Sequence, residues 1–150
     1  MTLAVRPLVE SDKAAWLPLW HGYLEFYETV LADAQTERTW SRLMDPDYNS
    51  HGKVVTVDNL VVGMTHYSFQ TSTWAKENYC YLEDLFVVPS SRGSGLGKAL
   101  INSVLEEANA SGSSRLYWNT DATNATARKL YDTFTQVSGK VQYRMRLEER

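Results

Sequence analysis

The chain has 150 residues, room for one domain around one core, and its 43% apolar and 22% charged residues are ordinary for a globular protein. With 15 basic against 18 acidic residues the net charge is −3, which excludes the basic footprint of a nucleic-acid binder. Cys80 stands alone, so there is neither an internal disulfide nor a multi-cysteine metal site, and it reads as a small strand residue. The opening MTLAVRPLVESD reaches charge at Arg6 without a long apolar stretch, so no signal peptide is expected. No apolar run approaches the roughly 20 residues of a membrane span. A cytoplasmic protein that does not enter membranes is the expectation.

Taken in chain order, residues 3–6 read as a short strand that Pro7 breaks. Ser11 or Asp12 can cap a helix running to Tyr27, with Trp16, Leu19, Trp20, Tyr23, Leu24 and Tyr27 at helical spacing. A second helix is predicted over 37–44, ending before Asp45-Pro46. Strands at 53–57 and 60–69 flank a tight Asp58-Asn59 turn. A polar loop over 70–77 leads to a long strand at 79–88, closed by Pro89-Ser90-Ser91.

From Gly95 the period changes: Leu96, Ala99, Leu100, Val104 and Ala108 share one helix face, ending near Ser111-Gly112. A strand at 115–119 follows, then a helix from Thr123 or Asn124 to about Phe134. Residues 141–147 alternate Val141, Tyr143, Met145, Leu147 with Gln142, Arg144, Arg146, the pattern of a strand with one buried face. The predicted order is β-α-α-β-β-β-α-β-α-β, a mixed α/β fold in one domain over 1–150, its mostly antiparallel sheet flanked by about four helices.

The stretch Arg92-Gly93-Ser94-Gly95-Leu96-Gly97-Lys98 follows a strand and opens a helix. Its glycines leave backbone N–H groups unobstructed, and the helix start adds positive potential, which makes an anion cradle with Arg92 at the rim. It is not a dinucleotide fingerprint, because the third glycine of that pattern falls on Lys98. It is not a P-loop either, since Arg92 and Ala99 occupy positions that need Gly and Ser or Thr.

Arg92-x-x-Gly95-x-Gly97, placed after Val87-Val88-Pro89, resembles the pyrophosphate loop of the GNAT superfamily of N-acetyltransferases. Thirty-two residues after Arg92 comes Asn124-x-x-Ala127-x-x-x-Tyr131, similar to that family's second signature. The resemblance spans nearly the whole chain. It implies acetyl-CoA as cosubstrate, held by 92–98, by the backbone of Leu85, Phe86 and Val87 where two strands splay, and by Asn124, Ala127 and Tyr131. Nothing in the sequence itself marks a bulge at that splay.

Acetyl transfer to an amine needs a neutral nucleophile, and at pH 7 roughly one alkyl amine in a thousand is neutral. A base and an acid for the departing thiolate are therefore sought. Asn124, Ala127 and Tyr131 share one helix face, and the resemblance gives Tyr131 the acid role. Glu83 lies in the apolar run Tyr81-Leu82-Glu83-Asp84-Leu85-Phe86-Val87, where desolvation raises a carboxyl toward neutrality. That run resembles the spermidine/spermine and thialysine acetyltransferases and the yeast-type histone/polyamine group, where the matching Glu is the base. Alternation sets Asp84 on the opposite face from Glu83.

The same resemblance suggests Glu25, Trp74, Glu83 and Asp84 as contacts for a cationic substrate. His21, His51 and His66 fall at unrelated spacings, and no metal is implied. The expected activity is direct acetylation of a small primary amine, a polyamine, diamine or amino-acid-like molecule. The alternatives are acetylation of a protein lysine or N-terminus and, outside catalysis, an acyl-CoA sensor module. A homodimer, in some relatives joined through the last strand, is the expected assembly.

Overall fold

The structure, a computed structural model, describes residues 1–149. They form two compact units, Met1–Asn119 and Thr120–Arg150, of which the first holds the sheet. Its elements are β1 (Leu3–Pro7), α1 (Lys13–Phe26), α2 (Asp33–Met44), β2 (His51–Val57), β3 (Leu60–Gln70), β4 (Tyr79–Val87), α3 (Leu96–Ala110) and β5 (Leu116–Tyr117). Single 3-10 turns over Glu10–Asp12 and Pro89–Ser91 precede α1 and follow β4. The second unit contains α4 (Ala125–Tyr131).

The strands run in sequence order β1-β2-β3-β4-β5, antiparallel except for the β4–β5 pair, which is parallel. The mixed, mostly antiparallel α/β fold is as expected. Asp58 and Asn59 both take positive φ (49° and 68°), the geometry that lets a two-residue turn follow the twist of β2 and β3. Pro7 stays inside β1 opposite Lys53, which an edge strand tolerates because only one side of it is paired. α2 starts at Asp33, a turn earlier than periodicity alone marks.

Val54 and Val55, adjacent in β2, are both fully buried, so both faces of the sheet are covered. On one face Val54, Met64 and Phe86 pack with Trp16, Leu19, Trp20 and Trp40 of α1 and α2. On the other, Val55 and Val87 pack with Leu96 and Leu100 of α3. Burying each such side chain contributes about 1.5–3 kcal/mol. That packing holds α1 together across Pro18, which removes one helical hydrogen bond.

One expected strand is not formed. Residues 141–149 take no regular structure, and Val141, Tyr143, Met145 and Leu147 are 75–95% exposed, so no face is buried. Alternation shows only that a segment can be a strand; the ladder needs a neighbour for its backbone groups, and none is paired with it among the described residues. No helix among them is long and apolar enough to cross a membrane.

Candidate active site

β4 carries the most informative irregularity. His66 of β3 is opposite Asp84 and Tyr67 is opposite Leu82, so Glu83 is an extra, unpaired residue: a β-bulge. The bulge changes which way the following side chains point. Before it, Leu82 is opposite Tyr67 and Cys80 opposite Phe69, so Cys80 and Leu82 share a face with Tyr67 and Phe69, and burial pushes the Cys80 thiol up to about 11. After it, Leu85 and Val87 pack on the α3 face while Phe86 packs on the α1 face. Glu83 and Asp84 therefore both point to the α1 side. The alternation that would separate them is broken by the extra residue.

Asp84 is held from three directions. Its Oδ2 lies 2.9 Å from His66 Nδ1, its backbone carbonyl accepts from Thr65 Oγ1 at 2.8 Å, and the Tyr23 hydroxyl of α1 donates to its carboxylate. Burial, then the Asp84 charge and the more distant Glu83, push the Tyr23 phenol up, so it keeps its proton for that bond. The Glu83 side chain reaches solvent, yet its charged form is disfavoured, first by the surrounding protein and then by Asp84, with His66 opposing. Its carboxyl titrates above the usual range. Tyr81 lies along the same strand, stacked on Tyr117 of β5 at 5.0 Å between ring centres, its phenol pushed up chiefly by burial.

Beyond Tyr81 the edge of β4 is open: it has no strand partner among the described residues. β5 pairs only with Cys80 and Tyr81. Backbone groups of alternate strand residues point to the same side, and Val88 N–H bonds Val62 of β3 at 2.9 Å. Phe86 therefore also faces β3, whereas Leu85 and Val87 turn their N–H and C=O toward the open edge. There the Val87 carbonyl accepts from Arg92 Nε at 3.0 Å, and the guanidinium spreads over the rings of Phe86 and Phe26. Arg92 is thus anchored at the end of the strand.

The loop after Arg92 has the form of an anion cradle. Gly93 and Gly95 take φ of +84° and +79°, and a Cβ on either would meet no heavy atom within 4 Å. Conformation, not crowding, calls for glycine at these two positions. Gly95 is the N-cap of α3, a helix of 15 residues, and no side chain caps it. A helix start of this kind directs its first-turn N–H groups outward along the axis, which suits the oxygens of a diphosphate. Ser94 Oγ ties the loop back to the Ser91 carbonyl at 2.7 Å.

In the second unit Asn124 is the N-cap of α4, its Oδ1 accepting from Ala127 N–H at 3.1 Å. The three-residue spacing between Asn124 and Ala127 therefore has a local structural use. Tyr131 is the last residue of the helix.

Glu25 is exposed and, with His21 and Glu28, lines a depression of about 490 Å³ at the end of α1. Trp74 is 86% exposed in the loop before β4. The fold thus brings Glu83 and Asp84 together and leaves Glu25 and Trp74 on the surface. Sequence reasoning did not mark Tyr23, His66 or Trp16 as site residues. The available signal was the strand position of His66, two residues from Met64 on the α1 face, opposite the helical stripe Trp16-Trp20-Tyr23.

Residues 15–134 match the Acetyltransferase (GNAT) family. D-amino-acid N-acetyltransferase HPA3 of Saccharomyces cerevisiae is 31% identical over 144 residues, 95% of this chain and 89% of that protein. A thialysine N-epsilon-acetyltransferase of Mus musculus is 44% identical over 71 residues, 44% of this chain and 41% of that protein. Among solved structures, AAC(6')-Iy in complex with the bisubstrate analog CoA-S-monomethyl-acetylneamine superposes with a TM-score of 0.84 at 18% identity, over 98% of this chain and 100% of that one. At that identity the likeness shows the shared fold. With a family match across four-fifths of its length, the chain belongs to the GNAT family and is an N-acetyltransferase.

Proposed function

We propose that the protein transfers an acetyl group from acetyl-CoA directly to a small primary amine, with Glu83 as proton acceptor and Tyr131 as proton donor to the departing thiolate. The observation that carries this reading is the open edge of β4, which begins beside the one carboxylate the bulge sets apart from the ladder. Leu85 and Val87 offer backbone groups along that edge to the pantetheine arm. The N–H groups of 93–98 and the charge of Arg92 receive the diphosphate. Asn124 and Ala127 join the cofactor contacts on the strength of the second motif.

The surroundings of Glu83 suit a cationic amine. Asp84 supplies a neighbouring negative charge, and Tyr23 and Tyr81 supply aromatic walls. A substrate ammonium is drawn in and gives up its proton to Glu83, and the neutral amine attacks the thioester carbonyl. Collapse of the tetrahedral intermediate breaks the C–S bond and leaves the electron pair on the coenzyme A sulfur, which Tyr131 protonates. The second proton of the nitrogen leaves as the amide forms and restores the Tyr131 phenol through solvent, while Glu83 passes its own proton to solvent. Glu25 and Trp74 are proposed as outer contacts for longer substrates.

The relatives point to amino-acid-like amines. The yeast protein is named for D-amino acids and the mouse protein for thialysine. Release of coenzyme A thiol is to be measured with D-amino acids, thialysine, diamines, polyamines and lysine peptides. The highest specificity constant is expected for a small amine; a lysine peptide outrunning all of them would move the reading to protein acetylation, and no release with any amine would leave a binding module. The exposed alternation of 141–147 is proposed to find cover in a second copy. Light scattering at the mass of a monomer would remove that assignment.

A further inference from the structure

His66 is 3% exposed and lies between two partners. Trp16 Nε1, fully buried, is 3.0 Å from His66 Nε2, and His66 Nδ1 is 2.9 Å from Asp84 Oδ2. An indole N–H can only donate, so Nε2 accepts. The proton shared with Asp84 is therefore on Nδ1, and the ring orientation is fixed at both ends. Trp16 is itself held by Trp20, stacked at 5.7 Å, and by Trp40 at 5.0 Å. A rigid aromatic block thus sets the direction of one N–H, and that N–H points at the carboxylate next to Glu83.

We propose that His66 is a positioning residue for acetyl transfer: anchored by Trp16, it draws the Asp84 carboxylate toward β3 and so fixes how strongly that charge acts on Glu83. The inference rests on the reading of Glu83 as proton acceptor. The groups that face the two carboxyls are Tyr23 from α1, His66 from β3, Tyr81 on β4 itself and, behind Tyr81, Tyr117 of β5. Of these, only His66 offers an N–H partner. Without it the Asp84 charge is shared less, and Glu83 holds its proton to higher pH. Without the Asp84 charge, Glu83 releases its proton at lower pH. The two changes act in opposite directions, which loss of folding does not produce.

The test is the titration of the Glu83 side-chain carboxyl by carbon-13 NMR in the full chain, with the resonance assigned by Glu83→Gln. Asp84→Asn is expected to lower the midpoint and His66→Leu to raise it, each by about half a unit or more. His66→Asn, whose amide replaces the Nδ1–H donor, is expected to restore the wild-type midpoint. An unmoved or lowered midpoint in His66→Leu overturns the inference, as does failure of His66→Asn to restore it. Should His66→Leu not fold, Trp16→Phe removes the indole N–H, with three ring atoms, and keeps an aromatic ring in the core; it is expected to raise the midpoint by a smaller amount, and no movement there overturns the inference equally. Because this readout needs no substrate, it is separate from the base assignment. That assignment fails if Glu83→Gln keeps full turnover, whatever the midpoints show.

Discussion

Glu83 and Asp84 are consecutive residues of one strand, yet both carboxyls lie on the α1 side of the sheet, because Glu83 is the unpaired residue of a bulge. Two like charges on one face disfavour each other, and here the buried partner is tied to His66 and Tyr23 while the open one is left to titrate. The carboxyl with room to meet a substrate is also the one pushed above its usual range. That is the pairing a general base needs near neutrality.

A base works in its deprotonated form, so turnover should rise with pH as Glu83 ionises and fall on the acid side of that point. Glu83→Gln should abolish the acid limb and lower kcat/KM by about a hundredfold or more. The measurement is kcat/KM against pH for both forms. An unchanged limb in the variant would assign it to another group.

Tyr131→Phe removes one oxygen from the last residue of α4. If the phenol protonates the leaving thiolate, kcat should fall about a hundredfold or more while acetyl-CoA affinity stays within about twofold. Steady-state kinetics beside a binding isotherm separate the two. Equal losses in both would make Tyr131 a binding residue.

Gly22 of α1 faces Phe86. A Cβ there would stand 2.8 Å from Phe86 Cζ, closer than carbon atoms approach. Gly22→Ala should destabilise the protein by about 1–3 kcal/mol through overpacking, even though alanine favours helix. Gly22→Ala with Phe86→Leu should recover part of the loss in thermal melts.

Asp12, the N-cap of α1, makes no side-chain bond to the helix and instead ties the turn before it to β1. Both its oxygens meet Arg6, at 2.7 and 2.9 Å, and Val9 N–H donates to Oδ2 at 2.9 Å. The Arg6 hydrogen bonds hold its carboxyl below the usual range against the opposing effect of burial. A lowered carboxyl contributes stability above its unfolded value, near 4, and loses it as pH falls through its folded value. Asp12→Asn should cost about 2 kcal/mol at pH 7 and progressively less as the pH drops below 4, read from melts across that range.

How much of this was legible beforehand follows the range of the interactions. The Asp58-Asn59 turn, the helix after Gly95 and the strand closed by Pro89 depend on neighbours within a few residues, and all three stand as read. The bulge at Glu83 does not. Register is set by pairing with β3, and no local feature of Leu82-Glu83-Asp84 announces an extra residue. For the same reason alternation alone separates Asp84 from Glu83, and His66 reads as one of three unrelated histidines. Its meaning comes from Trp16, fifty positions away. The alternation of 141–147 is the converse case: a clear local pattern with no partner among the described residues to turn it into a strand.

A thioester reaches Glu83 in the proposed reaction only if the backbone from Gly93 into α3 receives the diphosphate of acetyl-CoA. Calorimetric titration of acetyl-CoA tests it most directly, comparing the wild type with Gly95→Ala, which forces a Cβ onto a residue at φ +79°. Saturable binding by the wild type is expected, with affinity weaker by about tenfold in the variant, or about 1.4 kcal/mol. Absence of binding to the wild type at millimolar acetyl-CoA, or equal affinity in the two proteins, would contradict it.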